Sequence, residues 1–167
     1  MSVTRDIFRS YVRPRLVAER RIEGDDEPLA LGYLISACII LFVATLPGLQ
    51  RSAHLAPENG NLASLAYGSF LGAVLLAPIV LYALSALLWL ILRLAGTGLS
   101  GVRVRLALFW ALLVTTPLML LRGLTEGLVG PGMQLQLMNL MAGIGFLFFT
   151  TVAIGVARGL APRHANS

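Results

Sequence analysis

His54 and Glu58 are the two residues whose types and spacing come closest to a metal site. They lie four positions apart, so one helical turn would place an imidazole and a carboxylate side by side. A metal centre needs three or four such ligands, and the sequence offers no third one nearby. Cys38, within an apolar run, is the single cysteine of the sequence, which excludes an intramolecular disulfide and a cysteine-based cluster. We therefore predict no metal site and interpret His54 and Glu58 as solvated loop residues.

Hydrolytic or acid–base chemistry requires a base beside a nucleophile. The long apolar runs that fill most of the chain contain no His, Asp or Glu. We predict that the protein is not an enzyme and that it has no catalytic residue and no cofactor. The same lack of charge argues against proton- or ion-coupled transport. The polar side chains within the runs suit hydrogen bonds between helices, and they are Tyr82, Ser85, Thr115, Thr116 and Asn139.

The composition indicates a protein of the membrane. Of the 167 residues, 57% are apolar and 13% are charged, and the mean hydropathy of +0.81 is far above that of soluble domains. A helix needs about 20 apolar residues to cross a hydrocarbon core of about 30 Å. Four runs are long enough, which predicts an all-α, polytopic transmembrane bundle with spans at about 29–49, 65–93, 105–125 and 134–157.

Prolines and glycines are expected to shape these spans. Pro47 and Gly48 should close the first span, and a turn is expected at 127–132. The second run is too long for one upright span and too short for two. We predict one long or kinked helix with Pro78 at its middle, the alternative being two half-spans that meet there. The third span carries Pro117 in a similar position.

Arginine placement predicts the orientation of the bundle. All 13 basic residues are Arg, and cytoplasmic loops of membrane proteins are enriched in basic residues. Only Arg51 and Arg122 lie outside the N-terminal segment 1–28, the linker between the second and third spans, and the tail 158–167. We expect a multi-pass protein of the bacterial inner membrane with both termini in the cytoplasm. The arginines do not cluster on one face, which argues against nucleic acid as a partner.

The N-terminal segment has the pattern of an amphipathic helix. Its apolar residues recur on one helical face and its arginines lie on the others. This pattern is typical of a helix lying on an anionic membrane surface, and packing on the cytoplasmic ends of the spans explains it equally well. Pro14 should divide the segment into helices near 3–12 and 15–22. The residues assigned to the membrane surface are Arg5, Ile7, Phe8, Arg9, Tyr11, Val12 and Arg13.

Small residues in the second span predict close helix packing. Gly68 and Gly72 form a G-x-x-x-G motif, which allows backbones to approach in lipid. We favour packing within the bundle, and a homo-oligomer is the alternative. Pro78 and Pro117 complete the set of predicted helix-packing residues. Paired interrupted helices can also mark a binding site, but shaping the bundle is the interpretation that we favour.

The chain resembles the bacterial branch of the Yip domain family, small polytopic membrane proteins, in its alphaproteobacterial form. The resemblance covers residues 1–157 and rests on four strings in order. They are VTRDI at 3–7, FVATLPGLQRSAHL at 42–55, LLAPIVLYALSALL at 75–88, and RLALFWALLVTTPLMLLRGL at 105–124 followed by GPG at 130–132. Eukaryotic members interact with Rab-type GTPases in vesicle traffic and are described with five spans, whereas four are predicted here. The resemblance implies a membrane scaffold or trafficking-like role and transfers no catalytic or binding residue.

We expect a non-enzymatic inner-membrane protein that organises membrane or partner proteins through its N-terminal segment and its small bundle. The partner that the sequence implies is the lipid bilayer, and protein partners are not specified by it. The alternative is a small-molecule transport or channel component, in which the helices carrying Pro78 and Pro117 line a path.

Overall fold

The computed structural model describes residues 3–23, 26–56 and 61–160. Every regular element in these ranges is a helix, so the predicted all-α class is confirmed. We number the helices α1 to α6 in chain order. They are α1 (Val3–Val12), α2 (Pro14–Ile22), α3 (Glu27–Leu55), α4 (Leu62–Leu94), α5 (Gly101–Leu128) and α6 (Met133–Leu160).

Helices α3 to α6 are long and apolar enough to cross a membrane. Each has at least 28 residues, which corresponds to roughly 42 Å at about 1.5 Å per residue. A hydrocarbon core of about 30 Å leaves about one helical turn of each helix beyond the core on either side. The four long apolar helices identify a membrane-embedded protein, and each of them contains one of the four predicted spans.

The first span is longer than predicted. Pro47 and Gly48 were expected to end it, but α3 continues through both residues to Leu55. A proline inside a helix removes one backbone hydrogen bond but does not by itself end the helix. The Ser52 hydroxyl donates to the Gly48 carbonyl at 3.0 Å within the continued helix. His54 therefore lies exposed in the last turn of α3 and not in a loop, and Glu58 lies outside the described residues.

The second span is one helix, as predicted, with a local change of winding. Asn61 caps its start by accepting a hydrogen bond from the Ser64 amide at 2.9 Å. The turn Gly72–Leu76 is π-helical, and Pro78 follows two residues after it. Because Pro78 has no N–H, the turn before it lacks one hydrogen bond, and a π-helical turn is a common way to accommodate such a disruption.

Helix α5 lies at the centre of the bundle. Its residues 104–116 are all buried except Arg105, which is half-buried. Helices α3 and α6 make the most extensive contacts with it, and α4, α1 and α2 cover the remainder. The α5 start lies beside the α6 end, where Arg103 donates to the Leu160 carbonyl at 3.3 Å. We call this the arginine-rich end of the bundle, and it carries Arg93, Arg103, Arg105 and Arg158.

The backbones of α3 and α5 approach each other closely at two glycines of α5 that the sequence analysis did not single out. A Cβ atom added at Gly123 would collide with the Ala44 carbonyl oxygen, and one added at Gly127 would lie 2.5 Å from Pro47 Cβ. Gly127 had been assigned to a turn, but α5 continues to Leu128. Residues 123 and 127 thus form the G-x-x-x-G contact of this bundle.

The predicted hydrogen bonds between helices are only partly present. Ser85, Thr115 and Thr116 donate to carbonyls of their own helices, so that expectation was wrong for these three. Thr116 donates at 2.8 Å to the Leu113 carbonyl, which Pro117 leaves without its helical partner. Tyr82 and Asn139 do bond across helices, to Glu27 and Arg122 respectively.

Candidate functional site

Helices α1 and α2 form a tight hairpin that is docked on the bundle. Arg13 joins them in a non-helical conformation (φ −136°, ψ 66°), and Pro14 begins α2. This confirms the predicted break, because a proline fits the first helical turn and disfavours a helical residue before it. Asp6 and Arg21, on either side of the turn, form an ion pair, so the two helices run antiparallel. We call residues 3–22 the hairpin.

One face of the hairpin belongs to the core of the protein. Its buried side chains pack on α5 and α6, and α2 makes more extensive contacts with α6 than α1 makes with α5. Ile22 has no exposed surface, and Ala18 has 2%. Full burial of a side chain such as that of Ile22 contributes about 1.5–3 kcal/mol. The buried residues of the hairpin are Ile7, Ser10, Val17, Ala18 and Ile22.

Tyr11 fixes the tip of the hairpin to the middle of the bundle. Its hydroxyl donates to the Val114 carbonyl at 2.9 Å, and its ring meets the Phe149 ring edge to face, with centroids 5.2 Å apart. Burial raises the pKa of the Tyr11 phenol above its ordinary value, so the hydroxyl stays protonated and remains a donor. Val114 lies within one turn of Pro117, and its carbonyl has a second lone pair available for Tyr11.

A polar cluster fixes the open end of the hairpin. Arg21 donates through Nε to Asp6 Oδ2 at 3.1 Å and stacks over the Trp110 ring, 5.5 Å from its centroid. The Tyr33 ring contacts Trp110 from α3, with centroids 5.1 Å apart. Because guanidinium stacking and ion pairing act on the same side chain, Arg21 joins α1, α2 and α5.

The hairpin reaches deep along the bundle. Val114 lies 13 residues beyond Gly101, or about 19 Å from the start of α5 at about 1.5 Å per residue. Phe149 lies a comparable distance from the end of α6. The sequence predicted a helix on the membrane surface or on the helix ends. The hairpin packs on the bundle through a face formed by α1 and α2 together, and its tip lies beside the middle of α5 and α6, deeper than the helix ends. Contact of its outer face with a membrane surface stays a prediction.

The residues assigned to the membrane surface are divided between two faces. Ile7 and Tyr11 contact the bundle. Phe8 and Val12 point outward, with 64% and 80% of their surfaces exposed. The three arginines of that set, Arg5, Arg9 and Arg13, are also exposed. The outward face is therefore basic and apolar at the same time.

A second polar cluster joins three spans at the arginine-rich end. Arg105 donates to Glu27 Oε1 at 2.6 Å, and the Tyr82 hydroxyl donates to the same oxygen at 3.3 Å. The Arg105 guanidinium also lies over the Tyr82 ring, 5.6 Å from its centroid. Glu27 Oε2 is buried and has no hydrogen-bond partner among the residues that the structure describes. Glu27 belongs to the N-terminal segment 1–28 of the sequence analysis, and nothing in its spacing indicated these partners.

The predicted packing glycines of the second span, Gly68 and Gly72, lie on an open part of the helix surface as far as the structure describes it. A Cβ atom added at Gly68 or Gly72 would meet nothing within 4 Å in the described part of the chain. Half-buried Pro78 and Pro117 lie within α4 and α5. A homo-oligomer through Gly68 and Gly72 stays a prediction.

We expect Tyr11→Phe to loosen the hairpin without removing it. The substitution removes the hydrogen bond from the hydroxyl to the Val114 carbonyl and retains the contact of the ring with Phe149. The free energy of hairpin docking should therefore become less favourable by about 1 kcal/mol. Amide hydrogen exchange of residues 3–22 in the purified protein should rise roughly fivefold. Tyr67→Phe is the matched control, because 66% of Tyr67 is exposed. Equal exchange in the two variants would show that the hydroxyl bond does not hold the hairpin.

No family model, curated protein or solved structure matches this chain.

Proposed function

We propose that this chain is a non-enzymatic inner-membrane protein that organises membrane components or partner proteins through its docked hairpin. The observation that carries the proposal is the two-sided character of the hairpin. One side is fixed to the spans by Tyr11, Arg21 and Ile22. The other side presents exposed Arg and apolar side chains, the combination typical of segments that bind anionic membrane surfaces.

The docking of the hairpin on the bundle supports a scaffold role more than the role of a flexible tether. A surface that is held in place before binding loses less conformational entropy when a partner arrives. The hairpin is held at its tip by Tyr11 and at its open end by Arg21. The resemblance to bacterial Yip proteins agrees with a scaffold role, and we propose it as the family relation of this chain.

We further propose that the arginine-rich end faces the cytoplasm. Basic residues are retained on the cytoplasmic side during insertion, and this end collects Arg93, Arg103, Arg105 and Arg158 together with the hairpin. Reporter fusions after Gly98 and at the C-terminus should therefore read cytoplasmic, and a fusion after Gly130 should read periplasmic. A periplasmic C-terminus would overturn the four-span orientation.

Partner capture in native membranes tests the scaffold role. The full chain, expressed at its native level, is crosslinked in intact membranes, and its neighbours are identified by mass spectrometry. A defined set of neighbours that is lost on replacement of Phe8 and Val12 by Ser would support the proposal. An unchanged set would contradict the role of the hairpin. Gradient-driven solute uptake by purified protein in liposomes would favour the transport alternative and overturn the scaffold role.

A further inference from the structure

A groove runs along the outer face of the hairpin, between α1 and α2. It has a volume of about 590 Å³, within the range of sites that bind small molecules. Residues of both helices line it. The groove therefore depends on the turn at Arg13 and Pro14, which brings α1 and α2 side by side. Its lining consists of Arg5, Asp6, Phe8, Arg9, Val12, Arg13, Leu16, Val17 and Arg20.

The charge of the groove is strongly positive. Four arginines line it, and the carboxylate of its one acidic residue, Asp6, is held by Arg21. Within the ranges that the structure describes, none of these four arginines forms an ion pair. Arginine presents a fork of N–H donors that matches the oxygens of phosphate. The groove therefore fits a phosphate-bearing anion.

The groove also has an apolar part. Phe8, Val12 and Leu16 line it and keep 64%, 80% and 47% of their surfaces exposed. A smaller cavity of about 360 Å³ shares Arg13 and Leu16 with the groove and continues it to Phe148 and Val152 on α6. The arginines are thus contiguous with the outward, apolar surface of a membrane span.

The depth of this surface indicates what covers it. Val152 and Phe148 lie eight and twelve residues before Leu160, about 12 and 18 Å from the arginine-rich end. About one helical turn of α6 lies beyond the hydrocarbon core at this end, so these two residues lie roughly 6 and 12 Å below the surface of the core, whose half-thickness is about 15 Å. An arginine at this depth is unfavourable beside acyl chains unless an anion accompanies it or the leaflet thins around it. A lipid phosphate drawn toward the groove would supply the anion and would also thin the leaflet around the arginines.

We propose that the groove binds an anionic phospholipid of the adjacent leaflet. The phosphate lies among the guanidinium groups of Arg5, Arg9, Arg13 and Arg20, and an acyl chain follows Phe8, Val12 and Leu16 toward α6. A free phosphate would leave the apolar part uncovered, and a zwitterionic lipid would bring a cation toward the arginines. The inference rests on the proposed membrane role and adds a ligand to it.

Direct binding to the full-length protein tests the site. Protein purified in a neutral detergent is titrated with dioctanoyl phosphatidylglycerol, dioctanoyl phosphatidylcholine and inorganic phosphate, and bound ligand is measured by native mass spectrometry. The test variant is Arg9→Gln/Arg20→Gln, and the matched control is Arg93→Gln/Arg158→Gln, which removes equal charge outside the groove. A third variant, Phe8→Ser/Val12→Ser, removes only apolar surface. All six positions are exposed, so folding should be retained.

The unsubstituted protein should bind one phosphatidylglycerol more tightly than phosphatidylcholine. Each arginine near an anionic headgroup contributes about 1 kcal/mol, so the test variant should lose on the order of 30-fold in affinity. The control should stay within about twofold of the parent. The Phe8→Ser/Val12→Ser variant should weaken lipid binding and leave phosphate binding unchanged.

Several results would overturn the assignment. Equal binding of the two lipids, or equal losses in the test and control variants, would show that the groove does not recognise anionic lipid. Phosphate binding as tight as lipid binding would assign the groove to a free anion. If the test variant does not fold, unchanged lipid binding by the Phe8→Ser/Val12→Ser variant would refute the acyl-chain contact. The two proposals can fail separately. If any of these results is obtained while the crosslinked protein partners are retained, the lipid site is refuted and the scaffold role is not.

Discussion

Gly123→Leu is expected to separate α3 from α5 and to destabilise the whole bundle. Even the Cβ atom of the new side chain would collide with the Ala44 carbonyl oxygen. A backbone atom cannot move aside as the end of a flexible side chain can, so the two helices must shift apart along their shared interface. Overpacking of this kind costs about 3 kcal/mol or more. The thermal midpoint in detergent should fall by roughly 10 °C.

The matched control is Gly143→Leu in α6. Gly143 is exposed, and an added Cβ atom would meet nothing within 4 Å there in the described part of the chain. The control introduces the same side chain with the same loss of backbone freedom, and its midpoint should stay within about 2 °C of the parent protein. Equal midpoints for the two variants would mean that α3 and α5 do not approach each other at Gly123.

Ile22→Asp is expected to release the hairpin while leaving the four spans assembled. Ile22 is fully buried against the bundle, and the substitution places an unpaired carboxylate in an apolar contact. The lost burial alone is worth about 1.5–3 kcal/mol. The released population should therefore rise roughly 10- to 150-fold. The readout is limited trypsin cleavage after the hairpin arginines, whose rate follows the released population when opening is fast.

The control for this variant is Val12→Asp. Val12 lies on the same hairpin with 80% of its surface exposed, so the new carboxylate stays at the outer face. Its rate of cleavage should remain within about twofold of the parent protein. Comparable cleavage of both variants would show that Ile22 is not part of a docked face.

The sequence was sufficient for the architecture, because that part follows from local pattern. Apolar runs of about 20 residues give the four long helices. The position of Pro14 gives the division between α1 and α2, because the ring restricts the residue before it. Both rules, on apolar runs and on proline, depend only on residues that are close together in the sequence. They mispredicted Pro47 because a helix interior tolerates a proline when the surrounding packing holds it.

The site could not be predicted in the same way, because its contacts are remote in sequence. Tyr11 and Val114 are separated by 103 residues, and periodicity tells which face a side chain occupies but not what covers that face. Gly123 and Gly127 have the spacing of a packing motif. They were overlooked because Gly123 was assigned to the third span and Gly127 to the turn after it, so the two glycines were not considered as a pair. The groove is formed by both hairpin helices, so the sequence pattern of either helix alone does not predict it.

Thiol crosslinking in membranes tests most directly whether the hairpin is docked beside the middle of α6. In a Cys38→Ala background, Leu16→Cys/Val152→Cys places thiols at two residues that line one small cavity. Leu16→Cys/Leu137→Cys is the control, because position 137 lies about 22 Å farther along α6. A short bifunctional thiol reagent should link positions 16 and 152 within one chain and leave 16 and 137 unlinked. Failure to link 16 to 152, or equal linking of both pairs, would contradict the docked hairpin.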